Sequence, residues 1–177
     1  MDLVPLDALP RTGWVLRGVA SPESIAGHIL GTAHLAIALG PQSDPPLDMG
    51  RVLGMALLHD APEARTGDLP QPASRDLPPG AKQAMEDSIA EQLLADLGPS
   101  ALELWHEYRG NRTRESRFVR LCDKLQLGVR LVGYVETGAG KPLGEFVDGL
   151  LALDATEFPA AEELRLEILD SVSHLRP

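Results

Sequence analysis

The chain has 177 residues, 44% of them apolar but only 4% aromatic, and its 16 basic against 26 acidic side chains give a net charge of −10. That length suits one domain, residues 1–177, in which Leu and Ala fill the interior, and both favour helix. The charge argues against a nucleic-acid partner or an anionic membrane surface, and the single cysteine, Cys122, excludes an internal disulfide and a zinc site of cysteine pairs.

No stretch approaches the ~20 apolar residues of a membrane span, and the first thirty residues lack a basic start followed by an apolar run. A cytoplasmic protein is therefore expected. Ser21-Pro22-Glu23 reads as N-cap, first helical position and first-turn acid. Ile25, His28, Ile29, Thr32, Leu35, Ala36 and Leu39 then recur at helical spacing up to Gly40-Pro41, with His28 facing inward. Asp48 caps a second helix, apolar on all sides from Val52 to Leu58, that ends at His59-Asp60. The prolines and Gly67 between Ala61 and Gly80 predict the longest irregular joint of the chain.

Met85, Ile89, Leu93 and Leu97 mark a third helix closed by Gly98-Pro99, and Leu102, Trp105 and Tyr108 a shorter fourth. A fifth runs from about Glu115 to Glu136, with Phe118, Leu121, Cys122, Leu125, Val129 and Val132 in one stripe and Asp123 at its edge. After Gly138-Ala139-Gly140, a short helix around Leu143 to Leu153 and a last one from about Ala160 to Leu175 complete an all-α, single-domain bundle of about six to eight helices.

The chemistry concentrates at His59-Asp60, an imidazole and a carboxylate closing an apolar helix, where burying either without a partner is costly. A metal ion satisfies both, and His28 and Asp123 are further donors of matching type. Each also has an ordinary reading, as a core histidine, a helix cap, or an ion pair of Asp123 with Lys124 or Arg120. Mixed imidazole and carboxylate donors suit Zn, Mn, Co or Fe, with Mg less suited.

Three segments carry a resemblance over nearly the whole chain. They are Arg11-Thr12-Gly13-Trp14-Val15-Leu16-Arg17 leading to His28, Leu57 to Pro70 around His59-Asp60, and Phe118 to Leu125 around Asp123. In order and spacing they resemble the YfbR-type 5′-deoxynucleotidases of the HD-domain superfamily, including the eukaryotic HD-domain-containing relatives. The resemblance implies one divalent ion on His28, His59, Asp60 and Asp123, with Glu63 as acid/base residue, Asp68 supporting it, and Arg17, Arg11 and Trp14 at the substrate. It further implies a homodimer that hydrolyses nucleoside 5′-monophosphates, preferentially deoxyribonucleotides. The alternatives are an HD phosphohydrolase for another small phosphate ester or pyrophosphate, or a non-catalytic nucleotide sensor. Gly27 and Pro62 depart from the family's pattern, and His34, His106 and His174 match none of its ligand positions. No further inward histidine between Asp60 and Asp123 offers itself for a second metal.

Overall fold

The computed structural model describes residues 2–139 and 143–175, so Gly140 of the expected glycine joint and the extreme ends of the 1–177 span lie outside the described residues. Six helices of ten or more residues build the bundle: α3 (Ile25–Leu39), α4 (Met49–Leu58), α7 (Ala81–Ala95), α8 (Pro99–Gly110), α9 (Arg114–Glu136) and α11 (Pro159–Ser171). Five shorter ones lie between them: α1 (Pro5–Ala8), α2 (Thr12–Val15), α5 (Glu63–Thr66), α6 (Gln71–Asp76) and α10 (Glu145–Leu151). The only strand-like pairing among the described residues is one isolated bridge between Pro10 and Ser24.

That bridge corrects the expected start of the first long helix. Arg11 N–H donates to Glu23 O at 3.0 Å and Ile25 N–H to Leu9 O at 2.8 Å, which holds residues 23–25 extended against the N-terminal segment. The helix therefore begins at Ile25, and Ser24 rather than Ser21 is its cap, accepting from Gly27 N–H at 3.0 Å. Glu23 precedes the helix instead of lying in its first turn.

The Ala61–Gly80 stretch is also more regular than its prolines suggest. Pro62 caps α5 and Pro72 falls in the first turn of α6, positions where a missing N–H costs nothing. α4 is capped by Asp48 as expected, but Leu57 is 53% exposed, so the helix is not buried all round. In α9 the stripe holds from Phe118 to Leu125, whereas Val129 is 44% exposed and Leu131 takes its place in the core. α8 is a full twelve residues, the helix expected around Leu143 to Leu153 is confined to α10, and the last helix ends at Ser171 before a 3-10 turn at Ser173–Leu175.

α9 is the axis of the fold, packing against α3, α4, α8, α10 and α11. Its Phe118, Val119, Cys122, Leu125 and Leu131 enter the main core with Val52 and Met55 of α4 and Ala36 of α3. Two smaller clusters seat the turn after α4. Ala61 packs with Ala90, Leu94, Ala101 and Trp105, and Ala64 with Leu6, Ile25, Ile29 and Leu93. Small residues at 61 and 64 let α3, α7 and α8 approach that turn closely and bury Glu63 between them. No described helix is long and apolar enough to cross a membrane.

Candidate metal centre

α3, the end of α4 and α9 each bring one part of the cluster. His28 faces α9 because it lies one turn from Ile25 and Thr32 on the buried side of α3, and Asp123 sits on the facing side of α9. His28 Nε2 is 3.0 Å from Asp123 Oδ1, 3.4 Å from His59 Nε2 and 3.7 Å from Asp60 Oδ2, and His59 Nε2 is 3.3 Å from that same Asp60 oxygen. His28, His59 and Asp60 present donor atoms within 4.8 Å of one another, and both imidazoles are buried.

The other ring nitrogens decide what this cluster can hold. His59 Nδ1 lies 2.8 Å from the Ala56 carbonyl and His28 Nδ1 is bonded to Gln126 Oε1, both acceptors, so each Nδ1 carries the proton and each Nε2 keeps its lone pair. Two bare nitrogens and two carboxylate oxygens then face one another at 3.0–3.7 Å, an arrangement that repels unless a cation joins it.

Charge agrees. Asp60, Glu63, Asp68 and Asp123 are four carboxylates against the two cations Arg11 and Lys124, a balance of −2 when all are ionised, which one divalent ion cancels. Without it the site draws protons instead. Burial would lower the pKa of His59, but Asp60 and Asp123 outweigh burial and raise it. Burial, with Asp60 and Asp68 beside it, pushes Glu63 up to about 9 against the pull of Arg11. Asp60 and Asp123 are held low despite their burial, Asp60 by His59, Arg11 and His28, and Asp123 by Lys124, His28 and His59.

A pH dependence follows. Folded metal-free protein keeps the Glu63 proton to about pH 9, whereas the unfolded chain releases it near 4.5, so the folded state binds more protons in between. Stability of the chelated protein is expected to fall as pH rises through that window, and Glu63→Gln should flatten the slope. Urea unfolding at several pH values measures both; an unchanged slope in the variant would place the titrating group elsewhere.

Arg11 is the hub of the acidic side. Its Nη1 lies 2.9 Å from Asp68 Oδ1, 3.3 Å from Asp60 Oδ2 and 3.5 Å from Glu63 Oε2. Asp68 also accepts from Thr12 N–H, so this carboxylate straps the segment after α5 to the start of α2. Gly67, at φ +68°, makes the turn that aims Asp68 back, a conformation that penalises any side chain. Pro62 continues the chain in helical conformation, with Glu63 N–H donating to Asp60 O at 3.0 Å, so it carries Glu63 toward the cluster rather than away.

Two expected substrate residues lie apart from this cluster. Trp14 is 1% exposed, its ring packed on Tyr134 and Phe146 and its Nε1 donating to Glu23, so it belongs to the core and offers no open face to a sugar. Arg17 is paired with Glu145 on α10. His34, His106 and His174 are exposed, as expected of residues without a ligand role. Missed were Glu23 and Gln126, the side chains behind His28. Gln126 follows Asp123 by three residues and so shares its face, a signal in the spacing itself.

Known proteins resemble this chain in sequence and fold. The HD-domain family model matches residues 6–147. The 5′-deoxynucleotidase HDDC2 of Mus musculus is 32% identical over 149 residues, covering 81% of this chain and 72% of that protein. Among solved structures, the PH0347 protein of Pyrococcus horikoshii OT3 is 29% identical with a TM-score of 0.77, covering 99% of this chain and 96% of its own. One described as a predicted metal-dependent phosphohydrolase from Magnetospirillum magnetotacticum MS-1 is 27% identical with a TM-score of 0.72, covering 98% and 89%.

Proposed function

Because this chain belongs to the HD-domain family, we propose that its cluster is the active centre of a metal-dependent phosphohydrolase that converts nucleoside 5′-monophosphates, preferentially deoxyribonucleotides, to nucleoside and phosphate. The observation that carries the reading is the convergence of two imidazole Nε2 atoms and two carboxylates beside a third, buried carboxyl, that of Glu63. His28, His59, Asp60 and Asp123 hold one divalent ion, of which Zn, Mn, Co and Fe suit the mixed nitrogen and oxygen donors better than Mg. Such an ion supplies Lewis acidity to the phosphoryl group and makes water a stronger acid.

With a divalent charge beside it Glu63 would be ionised at neutral pH, so that it takes a proton from the attacking water and returns it to the 5′ oxygen as the P–O5′ bond breaks and the new P–O bond forms. Arg11 and Asp68 keep Glu63 in place: the guanidinium spans Asp60, Glu63 and Asp68, and Asp68 anchors it to α2. Arg11 also stands near enough to the cluster to meet substrate phosphate.

Phosphate release from metal-stripped protein, measured for deoxy- and ribonucleoside monophosphates with each of several divalent ions, tests the reading. Turnover should require the ion. The deoxy-to-ribo ratio should stay constant as the ion changes, because rejecting a 2′-hydroxyl depends on packing or an unpaired polar group beside C2′. A ratio that swings with the metal would assign sugar choice to the ion. Release from a different ester or pyrophosphate, but not from monophosphates, would favour the alternative substrate.

A cytoplasmic homodimer completes the proposal. The buried, unpaired Cys122 suits a reducing compartment, and α3 leaves Leu30 and Ile37, seven residues apart on one face, for a second copy. The net charge of −10 suits a small metal-chelated substrate better than a nucleic acid.

A further inference from the structure

Glu23 carries a carboxylate that is 1% exposed. Its Oε1 accepts from Trp14 Nε1 at 3.2 Å, and its Oε2 accepts from Gln126 Nε2 at 2.7 Å and Arg130 Nε at 2.8 Å. Its own backbone N–H donates to the Tyr134 hydroxyl at 2.8 Å. A carboxylate so placed can only accept, so the Gln126 amide must turn its NH2 toward Glu23 and its Oε1 toward His28. Gln126 Oε1 in turn accepts from His28 Nδ1–H, leaving Nε2 bare toward Asp123, Asp60 and His59. With the amide reversed, its NH2 would meet Nδ1, the proton would move to Nε2, and an N–H would point at the ion's place.

We propose that Glu23 and Gln126 form a positioning relay that fixes which ring nitrogen His28 presents to the metal. The inference rests on the metal-centre reading above. His59 reaches the same state through a main-chain carbonyl, that of Ala56, which no substitution removes. His28 depends on two side chains, so metal affinity is adjustable there by sequence alone. The fold makes room for the relay: a Cβ on Gly31 of α3 would lie 2.8 Å from Gln126 Nε2 and 2.9 Å from its Cγ. Glycine at that position leaves the notch in which the amide sits.

The relay has a direction, from acceptor-only Glu23 through Gln126 to a donating Nδ1, and reversing its polarity tests it apart from packing. Affinity for Mn²⁺ is measured on metal-stripped protein by competition with a fluorescent chelator, with thermal unfolding of each metal-free variant showing that it is folded. Gln126→Leu is expected to weaken Mn²⁺ binding by about 10–100-fold, the usual scale for an outer-shell partner. Glu23→Gln frees the amide to turn either way, and Gln126→Glu sets two carboxylates against each other, so each alone should also bind more weakly. The double variant Glu23→Gln/Gln126→Glu restores the link to His28, since an amide at 23 donates to the carboxylate at 126, whose other oxygen accepts from His28 Nδ1–H, while Arg130, which now donates to Glu23 Oε2, exchanges its carboxylate partner at 23 for the one at 126. It should regain most of the affinity.

Wild-type affinity in Gln126→Leu, or a double variant no tighter than the weaker single one, overturns the relay. Failure of wild-type protein to bind Mn²⁺, Zn²⁺ or Co²⁺ at all overturns the metal-centre reading first and is visible before any variant is compared.

Discussion

Glu63→Ala is expected to keep its metal and its substrate affinity while losing about 10²- to 10⁴-fold in turnover, the range for a positioned proton-transfer group. Glu63 is buried, and its carboxyl shares the Arg11 guanidinium with Asp60, yet it is not needed to complete the donor set of His28, His59, Asp60 and Asp123. Removing it should therefore separate catalysis from binding. If Glu63 only shaped the first turn of α5, the substitution would cost about 0.5–2 kcal/mol of stability and leave turnover nearly unchanged. Metal content, nucleotide affinity and single-turnover rate, measured together, distinguish these outcomes. Asp68 is a poor substitute as proton carrier, because both its oxygens are engaged by Arg11 and Thr12.

Asp123→Ala should have the second large effect, removing a donor and a charge at once. His28 Nε2 loses its nearest carboxylate, and Lys124 Nζ, 2.9 Å from Asp123 Oδ2, loses its ion-pair partner. Metal affinity is expected to fall by more than the 10–100-fold of an outer-shell change, with turnover falling alongside it. Stability should follow, because the proposed ion ties α3, α4 and α9 together. A ligand at a hundred times its Kd stabilises the folded state by about 2.7 kcal/mol, and chelation of the wild type should remove a comparable amount. Metal content equal to wild type in Asp123→Ala would move the ligand elsewhere.

The long helices were legible from their apolar periodicity, and for α4 also from its cap, Asp48, which accepts from Arg51 N–H; Thr113, which caps α9 by accepting from Ser116 N–H, is found only in the fold. The start of α3 was not legible, since Ser21 and Ser24 are both competent caps and the choice is made by the pairing of residues 9–11 with 23–25, a tertiary contact. The same contact hides Glu23, which looks like a first-turn acid in the sequence and is a buried acceptor in the fold. The four candidate donors could be found from residue type and helix position, whereas Trp14 could not be placed: an aromatic near a candidate site reads alike whether it faces a ligand or the core. The family resemblance places Arg11 at the substrate, but three acidic neighbours scattered from 60 to 68 meet it only after the turn behind α4 is folded.

Titrating metal-stripped protein with Mn²⁺ while following phosphate release from a deoxynucleoside 5′-monophosphate tests the central claim most directly. One ion on His28, His59, Asp60 and Asp123 predicts no turnover at the start, a linear rise, and a plateau at one ion per chain. Full turnover after exhaustive chelation, or a plateau reached only at two ions per chain, would contradict it.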